Sequence, residues 1–294
     1  MLRPDASGVV TQDQLVISTR DRVDYLEPTL RAVTNITSSH PWELILVDNG
    51  STDGTYERLR QLRENAPDGL RIKILYEPLP GLARARNRGA RATSAGLIAF
   101  TDDDCYPAPD LLDQIVAQFD STHLAYLGGR VLLYDPRDLP VTIQERRSPL
   151  DIGARQYIQP GIIHGANLAV DARIFSEVGG FDERLGVGTF FASAEDSELL
   201  ARLSWSGYAG RYHPGPVVHH HHRRRTSAEL ERLLHGYDKG RGAYMAIFIA
   251  QKASRPTYVK RWLLSLRDLA PRRLFRELHG AYHYLRRHGL STAT

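Results

Sequence analysis

The sequence has almost no cysteine and no long apolar run, and each absence excludes a class of protein. Cys105 is the single cysteine among 294 residues, which excludes an internal disulfide framework and indicates a reducing compartment. The richest apolar run, residues 243–250, is far shorter than the roughly 20 residues that span a bilayer. The first 14 residues lack the apolar region of a signal peptide. We therefore expect a cytoplasmic protein.

Two common nucleotide-binding motifs are also missing. No GxGxxG follows the first apolar run, which argues against a classical dinucleotide-binding fold, and no GxxxxGK[ST] is present, which excludes P-loop NTPases. If the protein handles phosphate groups, the remaining solution is a metal ion held by carboxylates, with substrate phosphates completing its coordination. The acidic residues are therefore the candidates for holding such a metal ion.

Charge is distributed unevenly along the chain, although its formal net value is only +4. After His222 there are 16 Lys and Arg against 5 Asp and Glu. Residues 1–222 hold 22 Lys and Arg against 29 Asp and Glu. A basic C-terminal segment on an acidic body favours an anionic surface as its neighbour, most simply membrane lipid. The alternative is a solvated helical face that docks partly on the acidic body. The sequence leaves both open.

Four short apolar runs in the first hundred residues predict strands, at residues 14–19, 43–48, 71–77 and 97–102. Helix-compatible patterns lie between them, at residues 25–34, 55–64 and 81–94. Near-continuous apolar strands that alternate with helices are typical of a parallel sheet covered on both faces. We therefore predict an α/β fold with a mostly parallel central sheet flanked by helices.

The predicted strands end in polar and acidic residues. These ends read Thr19-Arg20-Asp21, Asp48-Asn49 and Asp102-Asp103-Asp104. Ligands of open parallel sheets bind beyond the carboxyl ends of the strands, so these side chains are expected to share one crevice. Three adjacent aspartates repel one another unless a cation lies beside them. Because carboxylates suit Mg²⁺ and Mn²⁺, the pattern predicts a divalent metal site.

Three features stand out in the second half. Residues 160–183 are punctuated by glycine and place Asn167 between small residues; Glu195 and Asp196 open an amphipathic helical pattern; and a Val-Val pair precedes four histidines at residues 219–222. On an extended segment His220 and His222 share one face.

Together these segments resemble the family-2 glycosyltransferases, which are inverting, nucleotide-sugar-dependent enzymes of the A fold. The resemblance covers residues 14–222 and consists of LVISTRDR, VDNGSTDGT, GLARARNRGA, FTDDDC, HGANLAV with GGFDE, AEDSELLARL and VVHHHH. Each motif alone is weak, but seven in this order are specific. The resemblance implies a nucleotide-sugar-binding catalytic domain at residues 1–222. The charge and the helical pattern beyond it predict a basic helical extension at residues 223–294.

The resemblance also implies roles for individual residues around the nucleotide. Thr19 and Asp21, with Asp48 after the second strand, are expected to hold the base and ribose. Arg86 and Asn87 are expected to line the nucleotide and the sugar. Asn167 takes a position that lines the donor-sugar or acceptor pocket in the family, although a loop amide that bonds to nearby backbone explains it equally well.

A second group of roles concerns the metal and the chemistry. Asp104 is expected to bind the metal directly and Asp102 to contact ribose or a metal-bound water, with Asp103 in the variable middle position of the DXD pattern. Asp196 corresponds to the family's catalytic base and follows Glu195. His220 is the first choice among the four histidines for a metal ligand, with a separate zinc site as an alternative.

The expected reaction is therefore metal-assisted transfer of a sugar, with inversion, to an acceptor hydroxyl. UDP is the preferred carrier, with GDP and dTDP as alternatives, and the acceptor is a glycan or a lipid-linked molecule. The alternative functions are a Mg²⁺-dependent nucleotidyltransferase and a non-catalytic module that binds nucleotide or membrane. No nucleic-acid motif is present. The pattern of the extension predicts an apolar stripe that contacts a membrane, the body or a second subunit of a homodimer. The stripe is formed by Trp262, Leu263, Leu266, Leu269, Leu274, Phe275 and Leu278.

Overall fold

The computed structural model describes residues 13–92, 95–265 and 270–288. Its strands in chain order are β1 Asp13–Thr19, β2 Trp42–Asp48, β3 Arg71–Tyr76, β4 Leu97–Asp102, β5 Cys105–Pro107, β6 Tyr126–Leu133, β7 Leu150–Ile152, β8 Leu168–Asp171 and β9 Gly210–His220. The four strands predicted in the first hundred residues are therefore confirmed, with ends that differ by one residue at most.

Helices alternate with the first strands and then dominate the C-terminal segment. They are α1 Glu27–Thr34, α2 Thr55–Glu64, α3 Leu82–Ala90, α4 Leu111–Ser121, α5 Ala172–Glu177, α6 Glu195–Trp205, α7 Ser227–Ala250, α8 Arg255–Ser265 and α9 Pro271–His288. A short 3₁₀ turn, Gly165–Asn167, precedes β8. The predicted helix at 81–94 ends earlier than expected, at Ala90, and residues 93 and 94 lie outside the described residues.

The strands form one mixed sheet in the order β3-β2-β1-β4-β8-β6-β9-β5, with β7 also paired to β9. Strands β1 to β4 and strands β6 and β9 point in one direction, whereas β5, β7 and β8 run against them. The predicted α/β class with a mostly parallel sheet and a helical C-terminal region is therefore confirmed. The antiparallel strands all follow β4, where the sequence analysis predicted no strand order.

Each face of the sheet has its own apolar core, because successive side chains of a strand point to opposite sides. Leu15, Ile17 and Leu46 pack on one side with the helices α1 and α4. Val16 and Phe100 pack on the other side. Since both faces are covered, the polar strand ends are the part of the sheet left available to a ligand.

The C-terminal helices pack on this body rather than standing apart. Tyr244 and Tyr258 are buried in the same core cluster as strand residues, and the Tyr244 hydroxyl donates to the Ile158 carbonyl at 2.6 Å. Helices α7 and α9 cross so closely that a Cβ at Gly280 would lie 2.1 Å from the Lys239 carbonyl oxygen. Only glycine fits there.

Part of the predicted apolar stripe falls outside this description. Leu266 and Leu269 lie outside the described residues. Trp262 turns inward, where its indole donates to Glu277 at 3.0 Å. Among the described residues, no helix is long and apolar enough to cross a membrane.

Candidate active site

Chain direction brings the polar strand ends together at one edge of the sheet. Thr19, Asp48 and Asp102 end β1, β2 and β4, and register pairs Thr19 with Asp48 and Ser18 with Asp102. Strand β9 runs in the same direction as these strands, so its last residue, His220, arrives at the same edge. Residues far apart in sequence thus meet because of strand order.

A cavity of about 510 Å³ opens at this edge. Most of the predicted site residues line it, namely Thr19, Arg86, Asp102, Asp103, Asp104, Glu195, Asp196 and His220. Four predicted residues are not part of its wall: Asp21, Asp48, Asn87 and Asn167. The structure therefore groups the three aspartates that follow β4 with Glu195 and Asp196, but not with Asp21 and Asp48, and the individual roles stay predictions.

Within the cavity, Asp104 and His220 form a pair that suits a divalent cation. His220 Nε2 lies 3.2 Å from Asp104 Oδ1. Burial opposes ionisation of Asp104, but the hydrogen bond and charge of His220 and the charge of Arg22 hold its pKa well below the usual range. An ionised carboxylate oxygen suits both Mg²⁺ and Mn²⁺. An imidazole nitrogen suits Mn²⁺ better than it suits Mg²⁺. These residues therefore fit the predicted metal.

Cys105 lies beside this pair, and its sulfur comes within 4.8 Å of the Asp104 and His220 ligand atoms. Burial raises the pKa of the thiol well above its ordinary value, and the charge of Asp104 adds to the shift. A neutral thiol is a poor metal ligand, since the thiolate is the form that binds metal. The Asp104–His220 pair therefore carries the candidate metal site.

The three adjacent aspartates are each held beside a cationic or titratable side chain. Arg86 contacts Asp102 at 2.6 Å. Arg22 Nε lies 3.6 Å from Asp103, whose pKa is raised to about 7 by burial and by the charge of Asp104. The repulsion predicted from the sequence is thus partly offset by side chains of the protein itself, and Asp103 ionises less easily than Asp104.

Arg86 connects the end of β4 to the start of α6. Its guanidinium is 2% exposed and contacts Asp102 and also Glu195, at 3.1 Å. A Cβ at Gly165 would lie 2.6 Å from Arg86 Nη1, so the glycine lets the guanidinium fit. Burial and the charge of Asp196 raise the pKa of Glu195 to about 7, although Arg86 opposes the shift. Arg86 therefore fixes the two acidic segments relative to each other.

Asp196 occupies the first turn of α6 and faces the cavity. Its Oδ2 accepts a hydrogen bond from the Gly165 N–H at 3.1 Å, and its Oδ1 accepts from the Ser197 N–H at 2.6 Å. His164 lies in the same wall, and burial lowers its pKa despite the opposing charge of Asp196. The two amide donors hold the Asp196 carboxylate in a fixed orientation at the cavity wall.

The backbone just before Asp196 is strained. Ala192 and Ala194 have φ angles of 60° and 77°, in the left-handed region that favours glycine. Such a conformation costs an alanine about 1–2 kcal/mol. Both residues line the cavity, so the strain lies at the entrance to the helix that carries the candidate base.

The structure corrects the placement of two predicted asparagines. Asn87 Nδ2 donates to the Phe181 carbonyl at 2.9 Å and its Oδ1 accepts from the Phe181 N–H at 2.8 Å, so both amide groups serve the loop at the end of α5. Asn167 Nδ2 donates to the carbonyls of Arg130 and Pro216 at 2.8 and 3.1 Å. Each asparagine bonds backbone away from the cavity and does not line it.

Two aspartates predicted to hold the nucleoside also lie outside the wall. Asp21 is exposed and accepts from the Thr52 N–H at 2.8 Å, which stabilises a turn. Asp48 is fully buried, and its Oδ2 accepts from the Ser51 N–H at 3.3 Å. Its neighbour Asn49 lines the cavity instead. In this conformation neither carboxylate reaches the cavity.

The four consecutive histidines have different environments. His220 and His222 are buried on one face, as the alternation predicts, with ring centroids 5.1 Å apart. His222 bonds the Leu139 carbonyl at 2.9 Å, and His221 bonds the Tyr106 hydroxyl at 2.8 Å. His220 is the one of the four that lines the cavity.

Several cavity residues escaped the sequence analysis: Arg22, His164, Arg224, Tyr237, Arg241 and Arg273. Their sequence signals differ. His164 stands within the HGAN motif, and Arg224 is the second residue after the four histidines, so both have a local sequence signal. Tyr237 lies in the long helix α7, where nothing local distinguishes it from core tyrosines.

The model of the family described as Glycosyl transferase family 2 matches residues 14–179, more than half of the chain. The chain therefore belongs to glycosyltransferase family 2. A curated relative is the glycosyltransferase AglE of Haloferax volcanii, 34% identical over 118 residues, which are 40% of this chain and 38% of that protein. This family-2 member spans less than half the length of the curated relatives it matches first.

Solved structures of low identity share its fold. S. aureus TarS 1–349 in complex with UDP-GlcNAc has a TM-score of 0.59 at 14% identity, over 94% of this chain and 81% of that one. The mannosyltransferase PcManGT from Pyrobaculum calidifontis, in complex with GDP-Man and Mn²⁺, has a TM-score of 0.56 at 18% identity, over 97% and 83%. At these identities the likeness establishes the A fold alone.

Proposed function

We propose that this family-2 member is an inverting, metal-dependent glycosyltransferase that moves a sugar from a nucleoside diphosphate to an acceptor hydroxyl. The observation that carries the proposal is the shared cavity: the Asp104–His220 pair and Asp196 line the same cavity. Single displacement at an anomeric carbon needs a charged group at the leaving diphosphate and a base at the attacking oxygen. Membership of the family supports the same reaction.

Asp196 is the proposed base. Its carboxylate accepts the proton of the acceptor hydroxyl as that oxygen attacks the anomeric carbon. The N–H donors of Gly165 and Ser197 hold the carboxylate in place. Arg86, by binding Glu195 and Asp102 together, keeps the base at a fixed separation from the aspartates at the end of β4.

Asp104 and His220 are the proposed metal ligands, with Mn²⁺ or Mg²⁺ as the ion. When bound, such an ion stabilises the negative charge that develops on a leaving diphosphate. Asp104 is suited to this role because the charge of Arg22 favours its ionised carboxylate despite burial, and His220 offers a ligand nitrogen once its imidazole is neutral. Thr19, Asp102 and Asp103 line the adjoining wall, where the nucleotide and sugar are proposed to bind.

UDP is the proposed carrier, with GDP and dTDP as alternatives. A fold neighbour carries UDP-GlcNAc and another carries GDP-Man, so nucleotide sugars of both kinds fit this architecture. The proposed acceptor is a hydroxyl of a glycan or of a lipid-linked molecule. Cytoplasmic location and a homodimer remain predictions from the sequence, as do the boundary at residues 222 and 223 and the nucleoside roles of Asp21 and Asp48.

A calorimetric panel tests the proposal. UDP, GDP and dTDP are titrated into the protein with and without Mn²⁺, and into Asp104→Asn. We expect one nucleotide to bind more tightly with Mn²⁺ and this gain to vanish in Asp104→Asn. Asp68→Asn is the control, because Asp68 is exposed in the loop before β3, at the opposite edge of the sheet.

Two results would contradict the proposal. Equal nucleotide affinity in Asp104→Asn and the wild type would remove the metal role of Asp104. Release of pyrophosphate rather than a nucleoside diphosphate during turnover would instead identify the nucleotidyltransferase alternative.

A further inference from the structure

Six of the thirteen large apolar side chains that are exposed among the described residues lie on α8 and α9. Leu263 on α8 is 60% exposed, and Phe275 and Tyr282 on α9 are 71% and 57% exposed. One face of α8 is a shallow groove that mixes apolar and basic residues, formed by Arg255, Pro256, Val259, Lys260, Leu263 and Leu264. Apolar surface that is rimmed by polar residues is typical of sites that contact a protein or a membrane.

One side-chain hydrogen bond links the two helices, and both helices pack on α7. Trp262 of α8 donates to Glu277 of α9 at 3.0 Å. Leu263 and Leu264 follow Trp262 directly, and Leu278 follows Glu277. Exposed apolar side chains are therefore next in sequence to the contacting residue on both helices.

The charges of this surface have one sign. In the described residues 252–265 and 270–288, Glu277 is the sole acidic residue, and it is fully buried, 3.0 Å from Arg241 Nε. The basic residues of the same segments are Lys252, Arg255, Lys260, Arg261, Arg272, Arg273, Arg276, Arg286 and Arg287. The exposed part of α8 and α9 therefore carries basic and apolar groups without exposed acids.

We propose that the α8–α9 surface docks on an anionic lipid bilayer, with its leucines and aromatic residues in the interface and its basic residues at the lipid phosphates. Each Lys or Arg near an anionic bilayer and each buried apolar group adds to such binding. The acidic body before His222 repels the bilayer and so orients the molecule. This docking rests on the two helices and does not depend on the proposed reaction.

The competing occupants fit this surface less well. A second copy related by a two-fold axis would place basic residues against basic residues. A nucleic acid would match the charge, but its phosphates leave exposed leucine and phenylalanine side chains without a partner. A bilayer matches both kinds of group.

The surface also adjoins the active-site cavity. Arg273, in the first turn of α9, lines the cavity together with Leu233 and Tyr237 of α7. Phe275 and Leu278 lie within the next two turns of the same helix and face outward. Docking through α9 would hold the mouth of the cavity close to the bilayer.

Co-sedimentation of the full chain with vesicles tests the docking. Vesicles of phosphatidylcholine alone are compared with vesicles that contain phosphatidylglycerol, at low salt. We expect binding to the anionic vesicles only. The double variant Leu263→Glu/Tyr282→Glu should bind at least about tenfold more weakly, because it places two acids where apolar groups enter the interface. Tyr56→Glu is the matched control, since Tyr56 is an exposed tyrosine of α2 in the N-terminal half.

Three outcomes would overturn the docking: no binding to anionic vesicles, equal binding of the double variant and Tyr56→Glu, and displacement of the vesicles by an RNA that the double variant still binds. Nucleotide binding measured on the same samples separates this inference from the proposed reaction. Vesicle binding can fail while nucleotide binding holds, and the reverse.

Discussion

The buried guanidinium of Arg86 offers the sharpest test of how the site is built. It is 2% exposed and lies 2.6 Å from Asp102 and 3.1 Å from Glu195. Arg86→Met keeps an unbranched apolar side chain of similar length in the same space but removes the positive charge. Two carboxylates are then left in the interior without their cation.

The expected loss of stability is large because one partner of a buried ion pair is removed. Breaking such a pair costs about 3–5 kcal/mol, and most of the cost is the charge left behind rather than lost packing. With a free energy of unfolding of about 5–15 kcal/mol for a typical domain, the variant loses a large fraction of its stability. We expect a folded but much less stable protein.

The loss should depend on pH, and its sign follows from Glu195. Burial and the charge of Asp196 raise the pKa of Glu195 to about 7 in the folded protein. A carboxyl with a raised pKa binds its proton more tightly when folded, so the free energy of unfolding falls as pH rises from about 4.5 towards 7, by up to about 3 kcal/mol. Because Arg86 opposes this shift, its removal moves the pKa higher and extends the fall above pH 7.

Urea unfolding of the wild type and Arg86→Met at pH 6 and pH 8 measures the effect. We expect the difference between the two proteins to be larger at pH 8, where Glu195 must ionise without a cation. Arg86→Met/Glu195→Gln should regain part of the stability at pH 8. Arg88→Met is the control, since Arg88 is exposed on the same helix.

A result that does not fit would be an equal loss at both pH values with no recovery in the double variant. The loss would then come from packing of the Arg86 side chain. The electrostatic explanation of its contacts with Asp102 and Glu195 would be wrong.

Three further predictions concern the base, the strained backbone and the helix crossing. Asp196→Asn should leave nucleotide affinity unchanged and slow transfer by at least about 10², measured as sugar transferred per enzyme; a wild-type rate would place the base elsewhere. Ala194→Gly should raise the free energy of unfolding by about 1 kcal/mol in urea, because glycine accepts the positive φ; a loss would show that Ala194 is not strained. Gly280→Val should lower the melting temperature because α7 and α9 must separate. Gly153→Val should change it little, since no atom lies within 4 Å of the added Cβ. Equal shifts of the melting temperature would contradict the close crossing of the two helices.

The first half of the fold was predictable because its signals are local. Residues 97–102 form an apolar run that ends in aspartates, and β4 has the same bounds. In a parallel sheet the ends of such runs lie at one edge, so grouping Thr19 with Asp102 required no knowledge of strand order. The acidic cavity follows from those two facts.

Side-chain direction on a helix was less accessible. Arg86 and Asn87 are adjacent in sequence and were assigned to the same pocket, but successive residues of a helix point about 100° apart. The structure accordingly directs Arg86 to Asp102 and Asn87 to Phe181. A shared motif identifies a segment of the site and does not decide which of its side chains face the ligand.

The contribution of the C-terminal helices to the cavity could not be predicted from local pattern at all. In α7, Tyr237 lines the cavity and Tyr244, two turns later, is buried in the core of the body. Both are tyrosines of one helix, and only the way α7 lies across the body separates their environments. The match to the family ends at residue 179. It therefore leaves out Asp196 and the whole of α6, the helix that carries it. Residues 14–179 therefore include the aspartates at the end of β4 and Gly165, which contacts the candidate base, whereas α6 and α7 lie beyond the match.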